Sequence, residues 1–200
     1  MILTGEMIID ELSNSAECYS NPRMKITRET KKGNLIRLKR DLYVDDPSTP
    51  EIALAQVIYG PSYISFEYAL SYYGIIPERA RTVTCATFGK HKDKRFDTKI
   101  CSYYYTDVPE KVFPMEVKQA CIGDYSYNIA TMEKAVCDKL YKMRPVMNQN
   151  ELEVMIFDDL RFDEDMIFDL NITTIEKLAD DYRCRNVSLL SNYLMGQAIA

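Results

Sequence analysis

Ten residues near the N-terminus form one alternating segment: Leu35-Ile36-Arg37-Leu38-Lys39-Arg40-Asp41-Leu42-Tyr43-Val44. Arg37 and Lys39 fall on one face of this pattern, and Ile36 and Leu38 fall on the other. Side chains of a β-strand alternate in this way, and a polar stretch, Lys39-Arg40-Asp41, interrupts the pattern. The segment therefore predicts a two-stranded hairpin whose tip carries basic side chains.

A basic helix is predicted immediately before this hairpin. Asn21 is a good N-cap, Pro22 suits the first helical position, and Gly33-Asn34 suits a left-handed C-terminal end. At 100° per residue, four basic side chains fall within an arc of about 120°: Lys25, Arg28, Lys31 and Lys32. A basic helix followed by a basic hairpin is the arrangement of a winged helix-turn-helix, in which the helix enters the major groove and the wing contacts phosphates.

The charge distribution also separates the N-terminal segment from the rest of the chain. Residues 21–40 contain eight basic side chains and one acid, hence +7, and the other 180 residues contain 17 basic and 29 acidic side chains, hence −12. This asymmetry predicts that the N-terminal segment alone meets a polyanion such as DNA, the alternative being a solvated charged surface. Seven side chains are the candidate DNA contacts, mostly to phosphates: Lys25, Arg28, Lys31, Lys32, Arg37, Lys39 and Arg40.

A segment rich in prolines and acids, 45–50, marks a predicted domain boundary. We predict an α+β protein, with a winged-helix-like module over residues 1–44 and a mixed α/β domain over 50–200 that ends in helices. Two helices are expected at the start of the second domain, one beginning at Pro50 and one capped by Ser65. The predicted strands span 82–88, 99–105, 115–122 and 125–129. Later helices are predicted to begin near Thr131, Gln149, Asp163, Thr173 and Asn186.

Composition excludes several classes of protein. The chain contains no apolar run of the roughly 18–20 residues that a bilayer-spanning helix needs, and its N-terminus does not resemble a secretory signal. The six cysteines include no Cys-x-x-Cys pair and share the chain with one histidine. Such cysteines are typical of reduced thiols in a cytoplasm, and no metal, cofactor or catalytic residue is expected.

Three segments together resemble the AbiEi family, the antitoxins and transcriptional regulators of bacterial type IV toxin–antitoxin (abortive infection) systems. Residues 32–43 are similar to the family's wing. Residues 61–74, with Pro61-Ser62-Tyr63-Ile64-Ser65 at their start and Tyr73-Gly74 at their end, are similar to the motif that opens the second domain. Residues 129–138 are similar to the family's Glu-Lys-Ala-x-x-Asp helix start. The order and spacing of the three segments carry the resemblance.

The resemblance implies a winged helix that binds an inverted repeat in the promoter of its own operon. It also implies a C-terminal domain that counteracts a nucleotidyltransferase-like toxin, directly or indirectly. The chain departs from the family in having only two clear helices before the wing, where three are usual, and in having Asp41 in place of the wing glycine. Glu133, Lys134 and Asp138 belong to the third motif, and we expect them to have a structural role because an acid is favoured in a first helical turn.

Other interpretations of the same sequence remain open. A basic loop between strands carries Lys90, Lys92, Lys94 and Arg95, and it is either a solvated hairpin end or a second contact for nucleic acid or a partner. The chain could neutralise a toxin without binding DNA. A metal-dependent nuclease would need an Asp/Glu-x-Lys motif on a strand, as at Glu116-Val117-Lys118, but such motifs occur here at about the chance frequency. The acid-rich segment 158–169 could bind a basic partner.

Overall fold

The computed structural model of this protein describes residues 1–14 and 21–199. Over those residues the chain forms a three-stranded sheet, a six-stranded sheet that mixes parallel and antiparallel pairs, and nine α-helices. Five of these helices follow the last strand, so the predicted mixed α/β fold with a helical C-terminus is confirmed.

The elements have the following bounds: β1 Ile2–Thr4, α1 Gly5–Asn14, α2 Pro22–Lys32, β2 Ile36–Lys39, β3 Leu42–Val44, α3 Glu51–Ile58, β4 Tyr63–Ile64, α4 Phe66–Tyr73, β5 Thr82–Thr87, β6 Lys94–Asp97, β7 Ser102–Asp107, β8 Val117–Ile122, β9 Tyr125–Ala130, α5 Met132–Lys142, α6 Gln149–Glu153, α7 Glu164–Phe168, α8 Ile172–Tyr182 and α9 Arg185–Ile199. A π-helical segment, Val154–Asp159, continues α6.

The N-terminal sheet contains the predicted hairpin and one further strand. Its order is β1-β3-β2 with both pairs antiparallel, and Val44 lies opposite Ile2 on one side and Ile36 on the other. The short β1 is not evident from the sequence, because three residues directly before a helix are too few to show an alternating pattern. The order of helices and strands in this region is therefore strand, helix, helix, hairpin.

The two faces of this sheet pack against different parts of the molecule. Leu38, Leu42 and Val44 belong to the large hydrophobic core of the rest of the chain. Tyr43 points the other way and packs in a small second cluster with Ile8 of α1, which also contains Ile26 of α2 and Leu35. The predicted boundary at 45–50 thus separates two stretches of chain that share one core through the sheet between them.

The large sheet has the strand order β6-β7-β5-β4-β9-β8. Four of its strands lie where the sequence predicts strands, although β7 begins at Ser102 and not at Lys99. The other two are not predicted, because β4 has only two residues and β6 is a mostly charged edge strand that pairs antiparallel with β7. The sequence predicts Lys94 and Arg95 in a loop, but they lie in β6 because their backbone pairs with Tyr105 and Tyr104.

The connection between α5 and α9 depends on one buried amide, Asn186. Its Oδ1 accepts a hydrogen bond from the N–H of Val146 at 2.9 Å, and its Nδ2 donates to the carbonyls of Leu140 and Arg144, both at 3.1 Å. Asn186 has no solvent-exposed surface. This side chain therefore closes the C-terminal end of α5 onto the start of α9.

We expect Asn186→Ala to reduce the free energy of unfolding by about 2–3 kcal/mol, because it leaves a buried N–H and buried carbonyls without partners. Urea unfolding followed by circular dichroism measures the change. Asn192→Ala, an exposed position on the same helix, is the control and should change stability by less than about 0.5 kcal/mol. Similar destabilisation in the two variants would contradict this role for Asn186.

Candidate nucleic-acid interface

The basic helix α2 is held on the sheet by a single buried side chain and by caps at both ends. Ile26 is buried in the small cluster. The Asn21 side chain accepts a hydrogen bond from the N–H of Met24, Pro22 is the first helical residue, and Gly33 ends the helix at φ 87°. These are the predicted caps, and they leave the side of α2 opposite Ile26 exposed to solvent.

The predicted basic residues of α2 divide into two sets. Lys25 and Lys32 each lie 3.5 Å from Glu29, whose other oxygen accepts a hydrogen bond from Asn34. That hydrogen bond, together with the two lysines, lowers the pKa of Glu29 and keeps it ionised. The positive charge of the two lysines is thus partly balanced within the helix.

The second set is Arg28 and Lys31. Both side chains are exposed, and within the described part of the chain neither makes a hydrogen bond or an ion pair through its charged group. Among the predicted contacts on α2, these two side chains carry the charge that is most available to an external anion.

The hairpin residues point in different directions. Arg40, in the turn, has a side chain that is 91% exposed and lies 3.6 Å from Asp41. Arg37 is exposed and donates through Nε to the carbonyl of Lys39 at 3.2 Å. Lys39 itself extends towards the large domain, where its Nζ donates to the carbonyl of Ile58 at 2.6 Å. In this conformation Lys39 ties the hairpin to the end of α3, so the candidate surface consists of the other six residues.

Asp41 occupies the hairpin turn in a left-handed conformation, with φ 57°. Glycine is the residue that adopts this conformation without steric cost, and Asp and Asn tolerate it better than most others. The turn therefore has the backbone conformation that the glycine expected from the resemblance would adopt. The aspartate in its place adds a carboxylate beside the exposed Arg40.

A groove of about 500 Å³ lies between α1, α2 and the hairpin. It contains Arg37 and Arg40, and it also contains Arg23 from the first turn of α2. Arg23 contributes to the predicted positive charge of residues 21–40 but is not among the predicted contacts. Helical spacing could not have identified it, because the other wall of the groove is formed by the hairpin and only the fold brings the two together.

The second predicted basic segment, 89–95, is held against the large sheet. The carboxylate of Asp107 accepts hydrogen bonds from the N–H groups of Lys90 and His91 at 2.7 and 2.5 Å. The Nζ of Lys90 lies 5.3 Å from the centre of the Tyr59 ring. Tyr59 directly follows Ile58, the residue whose carbonyl accepts the hydrogen bond from Lys39. The loop therefore lies beside the side of the hairpin from which Lys39 extends towards α3.

The other basic residues of this segment differ in exposure and pairing. Lys94 lies 5.7 Å from the centre of the Phe96 ring, and Arg95 pairs with Asp97 at 2.9 Å. Lys92 is exposed and makes no hydrogen bond or ion pair with another residue of the described ranges. The four predicted residues therefore share one edge of the sheet, but only part of their charge is unbalanced.

The third motif forms a buried polar cluster. Lys134 and Asp138 have no solvent-exposed surface, and their charged groups lie 3.6 Å apart. Asp138 accepts hydrogen bonds from Tyr63 at 2.9 Å and Ser65 at 2.6 Å, and also from Tyr182. The sequence predicts that Ser65 caps α4. This prediction is wrong, because the Ser65 hydroxyl donates to Asp138 and makes no capping hydrogen bond to α4.

Lys134 completes the same cluster from the other side. Its Nζ donates to the carbonyl of Val112 and to the hydroxyl of Tyr182, both at 2.7 Å. Burial lowers the pKa of Lys134 while Asp138 opposes that change, and burial raises the pKa of Tyr182. The cluster joins α5 to β4, α8 and the segment before β8, which favours the structural role predicted for Lys134 and Asp138.

The third residue of the motif, Glu133, lies outside the buried cluster. Its carboxylate accepts a hydrogen bond from the N–H of Asn171, at the start of α8, at 3.2 Å. Thr131 caps α5 as predicted, since its hydroxyl accepts a hydrogen bond from the N–H of Lys134 at 3.3 Å. The Glu133 contact attaches α5 to the start of α8, and the Thr131 contact caps α5 itself.

The structure also places the residues on which the nuclease and acidic-segment interpretations depend. Glu116 and Lys118 are exposed at the outer edge of the sheet, where Lys118 belongs to β8. Over residues 1–14 and 21–199, no three His, Cys, Asp or Glu side chains are grouped so that they could hold a metal ion. Asp163 accepts a hydrogen bond from the N–H of Met166 and caps α7, as expected for an acid at a helix start.

Cys85, Cys101, Cys121, Cys137 and Cys184 all have free thiols. Burial raises the pKa of Cys85 and Cys137, which keeps these thiols protonated. The sixth cysteine, Cys18, lies outside the described residues.

No helix in the described part of the chain is long and apolar enough to cross a membrane. Comparison with known proteins finds neither a family model nor a curated protein that matches this chain.

Proposed function

We propose that this protein is an AbiEi-like antitoxin and transcriptional repressor, and that it binds duplex DNA through α2 and the β2–β3 hairpin. The observation that supports DNA binding is the exposed, unbalanced charge of Arg28 and Lys31 on a capped helix that is followed by an exposed arginine in the hairpin turn. A phosphate backbone is the partner that such a surface attracts most strongly. The proposed role requires no catalysis, cofactor or metal.

The strand order β1-β3-β2 around a helix pair and a hairpin is compatible with a shortened winged helix. In that arrangement α2 takes the position of the recognition helix and the hairpin takes the position of the wing. Contacts from Lys25 and Lys32 would be weaker, because Glu29 shares their charge. The operator is expected to be an inverted repeat upstream of the chain's own gene.

The repressor proposal is tested by a mobility-shift assay with purified protein and a fragment of its own upstream DNA at low salt. We expect a shift at nanomolar to micromolar protein and a weaker shift with an unrelated fragment of equal length. Absence of any shift at low salt would contradict DNA binding. Equal affinity for the two fragments would contradict specific repression of its own promoter.

The antitoxin proposal is tested by co-expression with the adjacent gene, which we expect to encode a nucleotidyltransferase-like toxin. Growth should be restored by the wild-type chain, and also by an Arg28→Ala/Lys31→Ala variant if protection does not depend on DNA. Failure of the wild-type chain to restore growth would contradict the antitoxin role. Restored growth without a mobility shift would support the second candidate, toxin neutralisation without DNA binding.

Asp41→Asn is expected to strengthen DNA binding by about two- to fivefold at low salt, because it removes a carboxylate beside Arg40. Asparagine tolerates the left-handed conformation of the turn, so the melting temperature should not change. Fluorescence anisotropy with a labelled duplex measures the affinity. The control is Asp180→Asn, which removes an exposed acid on α8, and equal gains in both variants would show that only net charge matters.

A further inference from the structure

The groove between α1, α2 and the hairpin gathers three arginines from separate segments. Arg23 comes from the first turn of α2, Arg37 from β2 and Arg40 from the hairpin turn. These residues are spread over 18 positions of the sequence, and the fold brings them to one concave surface of about 500 Å³. Such convergence differs from the basic face of α2, where the charges follow one another along a single helix.

The guanidinium groups in the groove retain most of their hydrogen-bonding capacity. Arg23 makes no hydrogen bond or ion pair through its side chain within residues 1–14 and 21–199. Arg37 uses only Nε, for the carbonyl of Lys39, so its two terminal nitrogens remain available. A guanidinium group with two free nitrogens donates two parallel hydrogen bonds to a phosphate or a carboxylate.

Tyr43 adds a hydroxyl group to the wall of the groove. The residue is 9% exposed, and its hydroxyl makes no hydrogen bond with another described residue. This oxygen is not one of the buried polar atoms that lack a partner, so it remains accessible to solvent. The hydroxyl is therefore free to donate a hydrogen bond to a ligand oxygen in the groove.

The acidic residues of the groove limit the charge of the ligand. Glu6 and Asp41 lie on its lining with Arg23, Arg37 and Arg40, which leaves a net charge of +1 when the two acids are subtracted from the three arginines. This balance suits a phosphodiester, which carries one negative charge, better than a di- or triphosphate.

We propose that this groove binds one phosphodiester group, with Arg23 and Arg37 donating to its oxygens and the Tyr43 hydroxyl donating a further hydrogen bond. The group could come from the backbone of a DNA duplex or from a small phosphodiester. The first source rests on the DNA binding proposed above, and the second does not.

The test compares two probes, a duplex from the upstream DNA and the dinucleotide d(TpT), which contains a single phosphodiester. Isothermal titration calorimetry is carried out with the wild-type chain and with Arg23→Gln/Arg37→Gln. A matched control, Arg28→Gln/Lys31→Gln, removes the same charge outside the groove. Tyr43→Phe tests the hydroxyl alone, and thermal melting verifies that each variant is folded.

Two results would support the inference. Duplex affinity that falls about tenfold or more in the groove variant, without d(TpT) binding by the wild type, assigns the site to the DNA backbone. Binding of d(TpT) by the wild type that disappears in the groove variant assigns it to a small phosphodiester. In either case Tyr43→Phe should weaken binding by a few-fold.

Other results would overturn it. In one such result d(TpT) does not bind, and the groove variant binds the duplex as tightly as the wild type, whereas the Arg28→Gln/Lys31→Gln variant binds it less well. The inference is then wrong and the DNA-binding proposal stands. If the wild type binds neither probe, both are wrong. If d(TpT) binds equally to the wild type and the groove variant, the dinucleotide occupies a different site and the inference is wrong.

Discussion

Replacing Lys134 by methionine is expected to reduce the free energy of unfolding by about 3–5 kcal/mol, because it leaves the buried carboxylate of Asp138 without its cationic partner. The hydroxyl of Tyr182 and the carbonyl of Val112 would each be deprived of a donor as well. Methionine has nearly the length of lysine, so reduced packing adds little to the effect. Urea unfolding measured by circular dichroism gives the change directly.

The matched control is Lys139→Met on the same helix. Lys139 pairs with Glu67, but this ion pair is partly exposed, with side-chain exposures of 19% and 45%. Such a pair contributes about 0–1 kcal/mol. If Lys134→Met destabilises the protein no more than Lys139→Met, the buried cluster does not stabilise the fold as we infer.

A double variant, Lys134→Met/Asp138→Asn, tests whether the two residues act as one unit. Asparagine carries no charge and keeps one oxygen, which can accept from the Tyr63 and Ser65 hydroxyls. Its NH2 group takes the place of the oxygen that faces Tyr182, and it can donate to the Tyr182 hydroxyl, which no longer receives a hydrogen bond from Lys134. We therefore expect the double variant to be destabilised by less than the sum of the two single variants. Simple additivity would show that the two charges are not coupled.

The second large effect is expected for the exposed side of α2. Arg28→Ala/Lys31→Ala should weaken binding to a duplex by about tenfold or more at low salt, because both side chains are exposed and lack partners within the described residues. It should also reduce the slope of log affinity against log salt concentration by about two, since each phosphate that is no longer neutralised lowers the slope by about 0.9. Fluorescence anisotropy over a range of salt concentrations measures both quantities.

The control for this variant is Lys118→Ala/Lys142→Ala, which removes two exposed lysines from β8 and α5. The net charge changes by the same amount, so any general effect of charge is the same in both variants. We expect the control to retain the affinity and slope of the wild type within about twofold. An equal decrease in both variants would show that the face of α2 has no special role in DNA binding.

The N-terminal elements are predictable because local signals determine them. Asn21, Pro22 and Gly33 specify the ends of α2 through hydrogen bonds and backbone conformations that involve only neighbouring residues. The alternating pattern of residues 35–44 specifies the hairpin in the same way. The direction of each basic side chain depends on distant residues, and the hydrogen bond from Lys39 to the carbonyl of Ile58 could not be inferred from spacing.

The buried cluster illustrates a second limit of sequence reasoning. The helix start at Thr131 can be recognised, but a lysine and an aspartate four residues apart usually lie on an exposed helical face. The packing of α5 against β4, α8 and the segment that contains Val112 removes this pair from solvent. Arg23 escapes prediction for a similar reason, because the hairpin that forms the opposite wall of its groove is distant in the sequence.

The central claim is that the exposed basic side chains of α2 and the hairpin contact the phosphates of a duplex. The most direct measurement is the affinity of the wild-type chain for its upstream duplex as a function of salt concentration. With about three to six phosphates neutralised, the expected log–log slope is about −3 to −5. A slope near zero, or no binding at low salt, would contradict the claim.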